Sequence, residues 1–109
     1  MQIEPYVVGV TKEEFSIVAK GWSITKDLLH KDVYTDNAED KVGTIDDIIV
    51  TTDKYFSYAV VSTGGFLGID KHDIVIPVHQ LKVVDGKFIL PGATKERIKA
   101  MPEFVYLKQ

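Results

Sequence analysis

The chain has 109 residues, 45% hydrophobic and 27% charged, which is one globular domain with enough apolar material for a real core and too much for disorder. It holds no cysteine, so disulfides, thiolate metal sites and a cysteine nucleophile are excluded together. The formal charge is −3 and Arg97 is the sole arginine among thirteen basic residues, a poor match to the concentrated basic face and guanidinium forks of nucleic-acid binders. Nucleic acid is therefore not the expected partner.

The N-terminus MQIEPYVVGVTKEEF lacks the basic and long apolar regions of a signal peptide, and no apolar run reaches the roughly 18–20 residues that span a bilayer. A soluble cytoplasmic protein without membrane insertion is expected, the alternative being an exported one whose signal was removed. Thr11-Lys-Glu-Glu14 fits a capping box, and Phe15, Val18, Ala19 and Trp22 have helical spacing. Phe15, Ile17 and Ala19 also alternate, and of the two readings the strand is preferred here. KDLLH (26–30) reads as one helical turn and KDVYT (31–35) as a short strand.

VGTIDDIIV (42–50) is a strand whose apolar residues break parity. Ile45 and Ile48 share no face of a regular strand, so a bulge near Asp46-Asp47, or burial on both faces, is predicted. FSYAVVST (56–63) and DIVIPV (73–78) follow, with Pro77 ending the ladder. In LKVVDGKFIL (81–90), Asp85-Gly86 between two β-rich runs predicts a tight type I′ hairpin. After Pro91-Gly92, Thr94 caps a short helix in which Ile98 and Met101 share a face, and Pro102 stops it. Five or more short strands in about a hundred residues predict a small barrel or sandwich.

Candidate chemistry concentrates in STGGFLGIDKHDIVIPV (62–78). Gly64-Gly65-x-x-Gly68 is not a phosphate loop: no Lys-Ser/Thr follows, the next apolar run is a strand, and Asp70 would repel phosphate. His72 and His79 have opposite parity along a strand, so a shared metal site needs Pro77 to redirect the chain. The acidic run 36–47 has Ala38 and Lys41 where a calcium loop needs Asp or Asn and Gly. No serine sits in Gly-x-Ser-x-Gly, there is no His-Glu-x-x-His, and Asp46-Asp47 face opposite ways without a bulge. No catalytic, cofactor or metal residue is assigned, and the chain is not expected to be an enzyme.

VYTDNAEDKVGTIDDIIV and SYAVVSTGGFLGIDKHDIVIPVHQLKV resemble the PRC-barrel family, known from the cytoplasmic domain of the photosynthetic reaction centre H subunit and from a ribosome maturation factor. The match covers roughly residues 23–90, most specifically Val42-Gly43-Thr-Ile45-Asp46-Asp47, Gly64-Gly65-Phe66-Leu67-Gly68 and Val75-Ile76-Pro77. Residues 91–104 resemble the helical segment that follows the barrel in stand-alone bacterial members. The resemblance implies a mainly β fold, a small antiparallel barrel with a short C-terminal helix, in a single domain over 1–109. Gly43, Gly64, Gly65, Gly68 and Pro77 then carry the fold signature. It also implies an assembly or interaction role with a protein partner.

Self-association into a homo-oligomer is the leading expectation. Tyr55, Tyr58, Phe66 and Leu67 are the candidate interface, with Phe66 either there or plugging the barrel end. The alternatives are a ribosome- or RNA-associated factor, with Lys82, Lys87, Lys95 and Lys99 as its basic face, and a small metal- or ligand-binding protein using His72 and His79.

Overall fold

A computed structural model describes residues 8–65 and 71–107 of the chain. The predicted strands are present with shifted ends: β1 (Asp32–Tyr34), β2 (Lys41–Val50), β3 (Ser57–Ser62), β4 (Asp73–Pro77), β5 (Lys82–Val84) and β6 (Lys87–Ile89). They form one sheet in the order β4-β3-β2-β1-β6-β5. The hairpin is as expected: Asp85 and Gly86 both have positive φ, at 49° and 79°, the type I′ signature that suits the twist of β5 and β6.

The parity break in β2 is a bulge. Ile45 faces Val61 and Asp47 faces Val60, leaving Asp46 unpaired between them. The extra residue swings Ile48 back to the side occupied by Ile45, and Ile48 packs against the core. A second irregularity lies between Val33 and Tyr34, whose partners are Gly43 and Lys41, and it lets Val42 and Gly43 be buried in succession.

Two features of the expected barrel are corrected. The β1–β6 ladder is parallel, while the other four are antiparallel. The sheet is also open: among the described residues, β4 and β5 are unpaired edges. Its shape is nevertheless constrained. A flat six-stranded sheet is about 24 Å across, whereas the five Cα steps from Pro77 to Lys82 reach at most about 18 Å. The 3₁₀ turn at Val78–Gln80 shortens that reach further, so the sheet must curl to bring its edges towards each other. Pro77, the last residue of β4, has no N–H to offer a further strand.

The curled side holds the core. Val33, Val42, Ile45, Ala59, Val61, Ile74 and Ile76 supply it from β1 to β4, and Leu81, Leu90, Ala93 and Ile98 close it. Ile98 comes from α2 (Lys95–Ala100), which Thr94 caps by accepting from Arg97 N at 3.2 Å. A 160 Å³ cavity lies between Ile76, Gln80 and Leu90 on one side and Ile98 and Met101 on the other, where α2 sits across the open seam.

The extended reading of 15–19 is overturned. Residues Lys12–Ala19 form a helix, α1, set by the capping box: Glu14 N donates to Thr11 Oγ1 at 3.1 Å and Thr11 N donates to Glu14 Oε1 at 3.0 Å. No residue of α1 is buried, so no packing face was available to decide for a strand, and the local cap decides. The helical turn expected at 26–30 lies two residues earlier, at Ile24–Leu28, and is a π turn. No helix of the described residues is long and apolar enough to cross a membrane.

Candidate functional site

The register of β2, β3 and β4 sorts their side chains onto two faces. Ile45, Val61 and Ile74 lie in one row on the core side, with Ile48, Ala59 and Ile76 in the next. The opposite face carries the rows Asp47–Val60–Val75 and Ile49–Tyr58–Pro77. Apart from Asp47, the side chains that these two rows give this second face are apolar or aromatic.

Part of it is covered by the segment after α2. Phe104 N donates to Asp73 O on β4 at 2.9 Å, and the Tyr106 hydroxyl donates to Asp47 Oδ2 on β2. The tail thus crosses β3, where Val60, pointing away from the main core, is only 1% exposed. The Phe104 and Tyr106 rings meet edge to face with centroids 4.8 Å apart. The hydrogen bond to the Asp47 carboxylate pushes the Tyr106 phenol up to about 12; desolvation and the charges of Asp47, Asp73 and Asp46 add to the shift.

One row further along, the tail no longer covers the face and a groove of about 460 Å³ opens. Tyr55, Phe56, Ser57, Tyr58, Pro77, Val78 and His79 line it. Tyr58 and Pro77 meet there because they are cross-strand partners, and the β2–β3 turn and the 3₁₀ turn supply the two walls. In the β2–β3 turn, Thr51 N donates to Phe56 O at 2.9 Å and Thr51 Oγ1 accepts from Phe56 N at 3.1 Å. This closure holds Tyr55 at φ 59°. A left-handed conformation costs an ordinary side chain roughly 1–2 kcal/mol relative to glycine, yet the residue here is a tyrosine with 77% of its surface exposed. Phe56 beside it is also mostly exposed.

Two of the four expected interface residues, Tyr55 and Tyr58, are therefore brought together. Phe66 and Leu67 lie outside the described residues, as does Gly68, so the direction of Phe66 is not part of this geometry. Phe56 and Val78 are ends of the predicted strands 56–63 and 73–78; they lie just outside β3 and β4, and the Tyr58–Pro77 register brings the two segments together.

The signature glycines divide. Gly43 is required by contact: a Cβ there would lie 2.1 Å from Ser62 O. Gly65 has φ 80° and no described residue within 4 Å of its Cβ position, whereas a Cβ on Gly64 would make ordinary contact with Lys71 at 3.7 Å.

His72 and His79 flank β4 at opposite ends, with its five residues, about 16 Å of strand, between them. Thr63 is fully buried and donates from Oγ1 to His72 O at 2.8 Å, which ties the start of β4 to the end of β3. Among the described residues no three His, Asp or Glu side chains are grouped to hold a metal ion. Lys87, one of the lysines of the RNA reading, is exposed but folded over its own sheet: its Nζ lies 4.7 Å from the Tyr34 ring centroid and donates to Ala38 O at 3.0 Å.

A second groove, of about 480 Å³, lies over β1 and β6, where Trp22 packs edge to face on Phe88 with centroids 5.1 Å apart. It is lined by four charged residues, Asp27, Lys31, Asp32 and Lys87, of which Asp27 accepts from Ser23 N and Asp32 pairs with Lys41 and accepts from Thr44. The Tyr55–His79 groove, whose lining holds no Asp, Glu, Lys or Arg, is the more apolar of the two.

The family model of the PRC-barrel domain matches residues 25–97, two thirds of the chain. No curated protein matches the sequence.

Proposed function

Because the chain belongs to the PRC-barrel family, we propose that it is a non-enzymatic interaction module that self-associates through the Tyr55–His79 groove. The observation that carries this reading is Tyr55. A bulky aromatic at positive φ, exposed in a turn, weakens the monomer, and covering its ring offsets that cost. Around it, Phe56, Tyr58, Pro77 and Val78 form the aromatic and aliphatic surface typical of the centre of a protein interface, with His79 on the rim. The described part of the C-terminal tail shields the neighbouring row, while in the groove Tyr55 and Phe56 are mostly exposed and Tyr58, Pro77 and Val78 half-buried.

The test is a substitution that relieves the strain and removes the ring. Tyr55→Asn suits a left-handed position. The expected result is a monomer more stable by about 0.5–1 kcal/mol whose self-association, followed by sedimentation equilibrium, is lost. A wild-type chain that stays monomeric at micromolar concentration, or a Tyr55→Asn chain that associates as before, overturns the reading.

A further inference from the structure

We infer that residues 102–107 are a latched strap that restrains self-association: closed, the strap occupies the Asp47–Val60–Val75 row that a second copy covers once it opens. The inference rests on the reading of the Tyr55–His79 groove as a self-association surface and names what regulates it.

The strap has a fixed base and a latch near its far end. Ile98 is buried and Met101 packs against the core, so α2 anchors the base. Met101 then leaves the helix at ψ 137°, and Pro102 has no N–H to continue it. Among the described residues two hydrogen bonds tie the strap to the sheet, Phe104 N to Asp73 O and the Tyr106 hydroxyl to Asp47 Oδ2. Phe104 is half-buried, but Val105, Tyr106 and Leu107 are 73%, 54% and 89% exposed. A segment held by so few contacts opens locally, at a free energy below that of global unfolding.

The latch acceptor is set by the β2 bulge. In a regular strand Asp46 would face Val60 and Asp47 would point to the core. The extra residue instead puts Asp47 opposite Val60, on the outer face. Ile48 N donates to Asp47 Oδ1 at 2.8 Å, which fixes the carboxylate and leaves Oδ2 for Tyr106.

The covered row is continuous with the groove. Val60 lies two residues from Tyr58 on β3, and Val75 two residues from Pro77 on β4, all on one face of the sheet. A second copy seated on Tyr58 and Pro77 meets this row next, and there the strap stands in its way. The two compete for one surface, so the apparent affinity rises with the fraction of chains whose strap is open.

The full-length variant Tyr106→Phe tests this, because it removes the latch hydroxyl and keeps a ring beside Phe104. Hydrogen exchange of the Phe104 amide in dilute protein reports opening, and sedimentation reports association. Exchange is expected to become about 10-fold faster and the Kd about 10-fold lower, the scale of one hydrogen bond to a charged group. Adding Val75→Lys to Tyr106→Phe is expected to remove the gain in affinity, and adding Tyr55→Asn to abolish association. If exchange quickens while the Kd is unchanged and Tyr55→Asn still dissociates the pair, the groove reading stands and the strap's control of it is refuted. Weaker association of Tyr106→Phe makes the strap part of the interface and overturns the inference. A Phe104 amide that exchanges equally fast in both chains refutes the latch. Chains that stay monomeric with and without the latch remove both readings.

Discussion

Replacing Gly43 with alanine tests whether the curl of the sheet depends on one close approach. The added Cβ would lie 2.1 Å from Ser62 O, 2.8 Å from Ser62 C and 2.9 Å from Val61 Cγ1, all nearer than real Cβ contacts. Because the obstacle is backbone, no side-chain rotation relieves it. β2 and β3 must separate by about 1 Å, which stretches hydrogen bonds at the Thr44–Ser62 and Ile45–Val61 pairs. Two weakened bonds contribute about 1–2 kcal/mol, and the disturbed packing of fully buried Val61 about as much again. Alanine also stiffens the unfolded chain, offsetting about 0.4–1 kcal/mol. The net loss is about 2–3 kcal/mol, a large fraction of the roughly 5–15 kcal/mol that holds a domain together.

In urea unfolding, with a slope of about 1–1.5 kcal/mol per molar, the midpoint falls by about 2 M. Gly64→Ala is the internal control, since its Cβ meets only Lys71 at ordinary distance, and it leaves the midpoint within about 0.4 M. Gly65→Ala, at φ 80°, costs about 1 kcal/mol from backbone strain. A Gly43→Ala midpoint indistinguishable from that of Gly64→Ala would refute the close-approach argument.

Ile98→Ala removes the α2 side chain that closes the core, 1% exposed, and is expected to lower stability by about 3 kcal/mol in the same assay. The Tyr106–Asp47 bond gives a spectroscopic prediction: in an absorbance titration one of the five tyrosines ionises near pH 12, and Asp47→Asn returns it towards 10. The folded value lies above the ordinary one, so this contribution to stability is complete below pH 10 and is lost as pH rises towards 12. The expectation fails if all five tyrosines titrate together.

Local signals in the sequence transferred well. Ile45 and Ile48 could reveal the Asp46 bulge because parity is a property of consecutive residues, and Asp85-Gly86 could reveal its hairpin because the turn conformation belongs to those two residues. α1 shows the converse: the capping box at Thr11 was visible, but the alternation of Phe15, Ile17 and Ala19 carried no information about burial in a segment that buries nothing. The open edge and the parallel β1–β6 ladder depend on where distant segments meet, and no short-range pattern encodes that. The groove was half legible. Tyr55 and Tyr58 stood out as surplus aromatics, but Val78 joins them only through the pairing of Tyr58 with Pro77. The tail was invisible for the same reason, since Tyr106 and Asp47 are 59 positions apart.

The parallel ladder has a consequence for how the molecule opens. β1 and β6 share only the pairs Val33–Phe88 and Tyr34–Ile89, plus the Leu90 N to Tyr34 O bond beyond them. On one side of this joint, β1 to β4 form a meander of neighbours in sequence; on the other stands the β5–β6 hairpin. The meander assembles from short loop closures, while the joint needs residues 55 positions apart to meet and forms last. Fluctuations reverse that order. The hairpin parts from the meander as a cooperative unit at a free energy below that of global unfolding, so amides of β6 exchange with solvent sooner than those of β3.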